Sequence, residues 1–230
     1  MATVLITGTN RGIGLEFVKQ YAEDGWRVIA CCRKPEQAND LKALVDQFDQ
    51  IEVRALDVSS QDQIKALAKE LSDIAIDLLI NNAGYYGSKG SNLGGIDREE
   101  WLKVLEINTL APLFVTEAFV DHIAQSENKM IAILTSKMGS VEDNTSGGSY
   151  LYRSSKAGVN QIAKSLSIDL EGQGIKVALL HPGWVQTDMG GANALINTET
   201  SVSGMKSILD NFDQSSSGSF LAFDGQSIPW

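Results

Sequence analysis

Tyr152 and Lys156 are the two residues whose types and spacing best suit acid–base chemistry. They lie four positions apart, at the start of a stretch that runs to about Glu171 with small, apolar and polar residues at helical spacing. On a helix, positions i and i+4 share a face. A free phenol has a pKa of about 10, and a nearby cation favours the phenolate. The pair could therefore exchange a proton near neutral pH, although two neighbouring surface residues would show the same spacing.

The composition limits the classes of protein to consider. A chain of 230 residues fits one domain, residues 1–230, and its net charge of −10 argues against a nucleic-acid partner. The sequence has no run of ~18 or more apolar residues, and the strand-like segment 3–6 leaves no room for a signal peptide. We therefore expect a cytoplasmic location and no membrane partner. Adjacent Cys31 and Cys32 would point to opposite faces of a strand, which disfavours a disulfide between them.

A glycine-rich loop follows the first predicted strand and precedes a predicted helix over 15–24. Gly8, Gly12 and Gly14 give the spacing Gly-x3-Gly-x-Gly, which differs from the common dinucleotide motif Gly-x-Gly-x2-Gly. A strand, a glycine turn and a helix together present free backbone N–H groups and a positive dipole end to a phosphate. The loop predicts a phosphate site, although an ordinary glycine-rich turn would look similar.

The end of the second predicted strand bears on the choice between NAD and NADP. An NAD site places an acidic residue about 20 positions beyond the glycines, where it accepts from the ribose 2′-OH. This chain has Cys32 and Arg33 there, and Arg11 adds a second positive charge within the glycine loop. Guanidinium groups suit a 2′-phosphate, so the sequence favours NADP(H). Solvated basic residues at a strand end are the alternative.

Strands and helices alternate along the chain, which indicates parallel crossovers. We therefore expect an α/β fold: a single-domain Rossmann fold with a doubly wound, mostly parallel sheet and helices on both faces. Strands are predicted over 4–7, 27–31, 52–56, 78–80, 130–135, 175–180 and 220–222, and helices over 35–48, 61–71, 97–122 and 202–210. Residues 137–149 are predicted to be irregular, and residues 188–201 to form a mobile lid. Asp57, Val58 and the segment 81–84 fall at carboxyl ends of strands, where ligands bind in such sheets.

Pro112 interrupts the helix predicted over 97–122. Its ring nitrogen cannot donate a hydrogen bond, so the carbonyl of Asn108, four residues earlier, loses its helical partner. We expect a kink there and a carbonyl that is free to bind a water molecule. A proline tolerated in a gently bent helix is the alternative.

Six short motifs, taken in order and spacing, resemble those of the short-chain dehydrogenase/reductase family, and the resemblance covers nearly the whole chain. They are Thr7-Gly8-x3-Gly12-x-Gly14, Asn81-Asn82-Ala83-Gly84, Asn108, Ser136, Tyr152-x3-Lys156 and Pro182-Gly183. The run Tyr152-Arg153-Ser154-Ser155-Lys156 and the ending from Asp224 to Trp230 are similar to sniffer-type carbonyl reductases and C-factor relatives.

The resemblance implies a catalytic set of Asn108, Ser136, Tyr152 and Lys156. Tyr152 would donate or accept the proton, and Lys156 would lower its pKa and bind the nicotinamide ribose. Ser136 would hold the substrate oxygen, and Asn108 would support a water chain to Lys156. The cofactor-binding residues implied by the loop, the strand ends and the resemblance are Gly8, Asn10, Arg11, Gly12, Ile13, Gly14, Arg33, Asp57, Val58, Asn81, Ala83, Gly84, Tyr152, Lys156, Pro182, Gly183, Val185 and Thr187.

We therefore predict an NADP-dependent oxidoreductase that reduces a small ketone, aldehyde or quinone. The alternative is a dinucleotide-binding signalling or regulatory protein, similar to C-factor, with little or no turnover. Met138, Trp184 and Met189 flank the active segments and are candidate substrate-pocket residues. No metal site is predicted, since His122 and His181 lack acidic or cysteine partners. The resemblance also implies a homodimer or homotetramer.

Overall fold

The centre of the fold is a seven-stranded sheet. A computed structural model describes residues 1–88 and 92–230, and within them every strand of the sheet is parallel to its neighbours. The strands are β1 Thr3–Thr7, β2 Arg27–Cys32, β3 Ile51–Ala55, β4 Leu78–Asn81, β5 Met130–Leu134, β6 Lys176–His181 and β7 Phe220–Ala222. Their order is β3-β2-β1-β4-β5-β6-β7. The predicted doubly wound sheet is confirmed, and it is wholly rather than mostly parallel.

Helices cover both faces of this sheet, which is why the central strands β1, β4 and β5 are buried at every position. The helices are α1 Gly12–Glu23, α2 Asn39–Val45, α3 Gln61–Glu70, α4 Arg98–Leu105, α5 Ala111–Ala124, α6 Tyr150–Asp169 and α7 Thr198–Asp210. Phe17, Leu41 and Met205 anchor α1, α2 and α7 to a core on one face. A second core on the other face contains residues of α3, α5 and α6, among them Phe119 and Val159. The arrangement is a Rossmann fold.

The two cysteines illustrate how a strand divides its side chains between these cores. Cys31 belongs to the core beneath α3, α5 and α6, and Cys32 belongs to the core beneath α1, α2 and α7. Both thiols are free. The sequence-based expectation that they do not bond to each other is confirmed, because successive side chains of a strand point to opposite faces.

The predicted interruption at Pro112 is also confirmed. Asp97 caps the start of α4, where its carboxylate accepts from the N–H groups of Glu99 and Glu100. Between α4 and α5 the residues Glu106–Leu110 form a π-helical turn, and Pro112 lies just beyond it. A proline has no N–H to donate and disturbs the helical ladder. The wider turn contains Asn108.

Two predicted boundaries were wrong. The helix expected over 35–48 is a 3₁₀ turn, Pro35–Gln37, followed after Ala38 by the short α2, because Ala38 leaves the helical region with φ −88° and ψ 70°. The last four residues of the lid predicted over 188–201 belong instead to α7, which begins at Thr198. The Asn197 side chain accepts a hydrogen bond of 2.8 Å from the N–H of Thr200 and so starts α7 four residues early.

The sheet order reverses direction between β1 and β4. In open α/β sheets this reversal opens a crevice at the carboxyl ends of the strands, where ligands bind. The glycine loop after β1, the segment after β4, Ser136 after β5 and Pro182 after β6 all follow the carboxyl ends of their strands. The topology therefore gathers the predicted site residues at one edge.

Candidate active site

Tyr152 and Lys156 lie on one side of α6, as their spacing indicates. The Lys156 ammonium is 5.8 Å from the centre of the Tyr152 ring. Tyr152 is 9% exposed and Lys156 is 5% exposed, so both groups are held within the protein. Lys156 Nζ donates a hydrogen bond of 2.9 Å to the carbonyl of Leu134 at the end of β5. This bond fixes the ammonium beside the carboxyl edge of the sheet.

Burial controls the acidity of both groups. It raises the pKa of Tyr152 to about 12, against a smaller opposite effect of the side-chain hydrogen bond with Ser136, while the neighbouring Tyr86 also raises it. Burial lowers the pKa of Lys156 to about 8. The expectation that the pKa of Tyr152 is lowered toward neutrality is wrong for this structure, because loss of solvent has the largest effect and raises that pKa. Tyr152 is therefore a protonated phenol at neutral pH.

Ser136 follows β5 and starts the 3₁₀ turn Lys137–Gly139, where its hydroxyl accepts from the N–H of Met138 at 3.1 Å. The preceding Thr135 donates a hydrogen bond of 2.5 Å to the Oδ1 of Asn160 on α6. A methyl group on Gly139 would lie 2.8 Å from the backbone carbon of Lys156. The turn that carries Ser136 is thus packed directly against the helix that carries Tyr152.

Asn108 lies behind the site and holds two of its walls together. Its Nδ2 donates to the carbonyl of Tyr85 at 2.7 Å and to the hydroxyl of Ser155 at 3.0 Å, and its Oδ1 accepts from the N–H of Tyr85 at 2.8 Å. The π-helical turn therefore places this amide where it can bond both the segment after β4 and α6. The water predicted at the Asn108 carbonyl stays a prediction.

The glycine loop has the backbone shape that its sequence predicts. Gly8 and Gly12 have φ of +72° and +58°, values that favour glycine. A Cβ on Gly14 would lie 2.2 Å from the carbonyl oxygen of Gly8, so a side chain there would fill the loop. The Asn82 amide braces the loop from the next strand end, donating to the carbonyls of Thr7 and Gly8 at 2.8 and 3.0 Å. No side chain caps the start of α1, which leaves its first N–H groups for a ligand.

A cleft of about 760 Å³ runs from this loop to Tyr152. Fifteen of the predicted cofactor residues line it: Gly8, Asn10, Arg11, Gly12, Ile13, Gly14, Arg33, Asp57, Val58, Ala83, Gly84, Tyr152, Lys156, Pro182 and Thr187. Gly183 and Val185 line the adjoining cavity instead. Asn81 lines neither space, since its buried amide points away and donates to Thr116 Oγ1 at 3.3 Å.

The two arginines predicted for the 2′-phosphate differ in their partners. Within the described part of the chain, Arg33 makes no ion pair, so its charge is available in the cleft. Arg11 is paired with Asp188, a cleft residue that the sequence analysis missed. Asp188 belonged to the predicted lid, and nothing in its sequence context indicated this contact.

A second cavity of about 830 Å³ adjoins the cleft, and Tyr152 lines both. Ser136 and the three candidate substrate residues Met138, Trp184 and Met189 also line it. Trp184 is 51% exposed and donates from its indole N–H to the carbonyl of Gly190 at 2.8 Å. The cavity thus begins at the Tyr152–Ser136 pair and opens toward solvent along the segment after β6.

Three further residues of this cavity were missed by the sequence analysis or given no role there. The Tyr86 ring centre is 4.7 Å from that of Tyr152, and its hydroxyl is 3.2 Å from the Ser149 hydroxyl. Arg153 lies in the wall one residue after Tyr152. His181, interpreted as structural, also faces the cavity, and burial lowers its pKa to about 4, so the imidazole is neutral. The motif around Tyr152 could have singled out Arg153, whereas Tyr86 lies in a loop without a pattern.

Residues 1–88 and 92–230 contain neither a metal-binding cluster nor a membrane-spanning helix. No cluster of three or more His, Cys, Asp or Glu side chains in this part of the chain is arranged to hold a metal ion. No helix there combines the length and the apolar character needed to cross a membrane.

Comparison with known proteins agrees with the geometry. Residues 2–198 match the family model described as short chain dehydrogenase. The chain is 41% identical over 167 residues to the C-signal protein of Myxococcus xanthus, covering 73% of this chain and 100% of that protein. It is 35% identical over 236 residues to a 1-hydroxy-2-glutathionyl-2-methyl-3-butene dehydrogenase of Rhodococcus sp. (strain AD45), covering 100% of both.

Solved structures show the same likeness over the full length. An NADPH-bound carbonyl reductase from chicken fatty liver superposes with a TM-score of 0.94 at 32% identity, covering 100% of this chain and 99% of that chain. The carbonyl reductase Sniffer of D. melanogaster superposes with a TM-score of 0.92 at 33% identity, covering 100% of both chains. The chain is thus similar to sniffer-type carbonyl reductases and to C-signal, as the sequence motifs indicate. It belongs to the short-chain dehydrogenase family, a family of oxidoreductases.

Proposed function

We propose that this protein reduces a small ketone, aldehyde or quinone, using NADP(H) as the cofactor and Tyr152 as the proton donor. The observation that carries the proposal is the position of Tyr152. Its buried phenol lines both the cofactor cleft and the adjoining cavity, and the Ser136 side chain is near enough to lower the pKa of that phenol. A carbonyl in the cavity would meet two hydroxyl groups at the place where the cleft ends.

The cleft residues fit a phosphorylated dinucleotide. The uncapped N-terminus of α1 and the loop that a Cβ on Gly14 would fill suit a pyrophosphate. Arg33 brings an unpaired guanidinium to the cleft, where it suits a 2′-phosphate. The NADPH-bound carbonyl reductase supports the same choice. The cofactor-binding set predicted from the sequence is proposed with one change, the replacement of Asn81 by Asn82. The Asn81 amide donates to Thr116, whereas the Asn82 amide donates to the glycine loop.

Four residues of this chain have separate roles in the proposed reaction. The reduced nicotinamide, when bound, supplies the hydride to the carbonyl carbon. Ser136 donates a hydrogen bond to the carbonyl oxygen and holds it beside Tyr152, which then gives that oxygen its phenolic proton. The Lys156 ammonium stabilises the phenolate that remains. Asn108 positions α6 through Ser155 and so keeps these groups in register.

Replacement of Tyr152 by phenylalanine tests the proposal. Tyr152→Phe removes the proton donor but keeps the ring, so turnover with NADPH should fall by about 10² or more while NADPH still binds in a fluorescence titration. Tyr150→Phe is the matched control, because Tyr150 is partly exposed on the same helix and lines neither space. Turnover by Tyr152→Phe at the wild-type rate would refute Tyr152 as the donor.

A second candidate function is dinucleotide-dependent signalling with little or no turnover, and the 41% identity to C-signal favours it. A panel of ketones, aldehydes and quinones with NADPH separates the two functions. Reduction of several compounds supports the reductase, whereas tight NADPH binding without reduction supports the signalling protein. The intact set of Asn108, Ser136, Tyr152 and Lys156 favours the enzyme.

The predicted assembly, domain organisation and location stay proposals. Apolar side chains on the outer faces of the helices near Asn108 and of α6 support a homodimer or homotetramer, since Leu102, Leu110 and Ile168 are 43%, 44% and 61% exposed. Sedimentation velocity would measure the oligomeric state. A cytoplasmic location and a single domain over residues 1–230 remain the predictions made from the sequence.

A further inference from the structure

Arg153 is a charged side chain in the wall of the cavity next to Tyr152. Its Nη2 donates to the Ser146 hydroxyl at 2.8 Å, and its Nη1 makes a long contact of 3.4 Å with the Met138 carbonyl. Its Nε is buried and has no hydrogen-bond partner. A guanidinium has five N–H donors. Two of them make these contacts and the Nε–H is buried, so one N–H on each Nη remains without a partner.

The ion pairs of the chain set Arg153 apart. The sequence contains six arginines. Four of them, Arg11, Arg27, Arg54 and Arg98, are paired with carboxylates. In the part of the chain that the structure describes, the two without an ion pair are Arg33 and Arg153. One lines the cofactor cleft and the other lines the adjoining cavity, so each unpaired arginine faces a space for a ligand.

The other charged groups of the cavity do not neutralise Arg153. Asp143 is the carboxylate in its wall, and it is paired with Lys137 at 3.3 Å. His181 is neutral at physiological pH for the reason given above. Among the described residues, the wall therefore carries an excess of one positive charge, located at Arg153, in a protein whose net charge is −10. An unpaired cation in an acidic protein is costly to keep partly buried unless an anion binds there.

The position of Arg153 on α6 adds to this cost. It lies in the first turn of a 20-residue helix, where the helix dipole disfavours a cation and favours an anion. No side chain caps that helix, and its N-cap Ser149 has φ +48°. A ligand carboxylate near Arg153 would therefore interact favourably with both the guanidinium and the helix dipole.

We propose that Arg153 binds a carboxylate of the substrate, so that the compounds reduced are carbonyl compounds bearing a carboxylate remote from the carbonyl group. The inference rests on the proposed function and narrows its substrate class. A guanidinium matches a carboxylate with two parallel hydrogen bonds. The cavity of about 830 Å³ has room for more than a simple ketone between the Tyr152–Ser136 pair and its mouth.

Paired probes test this assignment with the full chain and NADPH. The probes are 4-formylbenzoate and 4-formylbenzamide, which share the aldehyde and the ring but differ in charge. The quantity to compare is the ratio of kcat/KM for the acid to kcat/KM for the amide, because the intrinsic reactivity of each aldehyde cancels between wild type and variant. We expect Arg153→Met to lower this ratio by about tenfold or more, and Arg153→Lys to restore part of it.

Arg98→Met is the matched control, since it removes the same charge from the surface, where Arg98 pairs with Glu99 away from the cavity. The ratio of kcat/KM for the acid to kcat/KM for the amide should be the same in Arg98→Met as in the wild type. Raising the NaCl concentration from 50 to 500 mM should weaken wild-type activity on the acid more than on the amide, and this measurement does not depend on the folding of a variant. Equal ratios in wild type and Arg153→Met, or a ratio insensitive to salt, would overturn the inference.

A binding measurement separates this inference from the proposed reduction. Calorimetric titration with 4-(hydroxymethyl)benzoate and its amide should show at least a tenfold tighter binding of the acid by wild type than by Arg153→Met. If wild type oxidises no NADPH with either aldehyde but still binds the acid through Arg153, the carboxylate site stands and the proposed reduction falls. If the aldehydes are reduced and Arg153→Met binds the acid as well as wild type does, the reduction stands and the carboxylate site falls.

Discussion

Arg11 and Asp188 form an ion pair across the mouth of the cofactor cleft, with Nη1 and Oδ2 2.6 Å apart. The pair joins the glycine loop to the segment that follows β6. Both side chains are largely exposed, at 69% and 74%, so the pair contributes at most about 1 kcal/mol to stability. The position of the pair matters more than its strength. Asp188 binds the guanidinium of Arg11, which is one of the two arginines that the sequence suggests for a 2′-phosphate.

Removal of the Asp188 charge should therefore strengthen NADPH binding. Asp188→Asn frees Arg11 and removes a negative charge from the cleft wall, so we expect the Kd for NADPH to fall by about threefold. The Kd for NADH, which lacks the 2′-phosphate, should change less. Fluorescence titration of both cofactors measures the difference. Glu99→Gln, which breaks a pair outside both cavities, is the control; weaker NADPH binding by Asp188→Asn would show that the pair serves to close the cleft.

Within the described residues, Arg33 is the arginine of the cleft that makes no ion pair, and it should set the choice of cofactor. Arg33→Ala is expected to lower the ratio of NADP(H) to NAD(H) affinity by about tenfold or more, because a charge-assisted hydrogen bond to a phosphate is lost. Titrations with both cofactors give the ratio. Arg98→Ala carries the same loss of charge on the surface and should leave the ratio unchanged. If the ratio does not fall in Arg33→Ala, the assignment of Arg33 to the 2′-phosphate is wrong.

The pH dependence of the reaction should report Lys156. Its pKa is lowered to about 8 by burial, whereas the pKa of Tyr152 is raised to about 12. As pH rises through about 8, Lys156 loses its charge while Tyr152 keeps its proton. We therefore expect kcat/KM for NADPH, which reports the free enzyme, to fall above pH 8 with the titration of one group.

Lys156→Arg distinguishes this explanation from others. A guanidinium keeps its proton to above pH 12, so the decline near pH 8 should disappear in the variant even if its rate is lower at every pH. A flat wild-type profile to pH 9.5, or a decline that persists in Lys156→Arg, would contradict the assignment to Lys156.

Gly139 tests the packing between the Ser136 turn and α6. In Gly139→Ala, the new methyl would lie 2.8 Å from the Lys156 backbone and 2.9 Å from the Asn160 amide, so the turn must move away. We expect a loss of about 1–3 kcal/mol in the free energy of unfolding and at least a tenfold loss in kcat, measured by urea denaturation and steady-state rates. Gly172→Ala, with nothing within 4 Å of its Cβ, should change neither; a fully active Gly139→Ala would show that this contact is dispensable.

Local sequence signals predicted most of the fold. Apolar runs indicated the seven strands, because strands of a parallel sheet are buried on both faces. Pro112 predicted an interruption of its helix, which the structure shows as the π-helical turn around Asn108. The prediction was possible because a proline removes a hydrogen bond from the helix in which it lies. The start of α7 was missed because it depends on a single hydrogen bond, from the N–H of Thr200 to the Asn197 side chain. The apolar pattern of the sequence gives no sign of this bond.

The spacing of Tyr152 and Lys156 by itself determined that the phenol and the ammonium share a face of one helix, because helix geometry is local. Only the tertiary structure decided their acidity. The strands and helices around α6 exclude water, and this desolvation raises the pKa of one group and lowers that of the other in a way that no spacing encodes. It also decided which arginines make an ion pair. Arg11 pairs with Asp188 across 177 positions of chain, while Arg33 and Arg153 line ligand-sized spaces and pair with no described carboxylate. Such pairings depend on distances through the folded molecule, and these arise only when distant segments converge at one edge of the sheet.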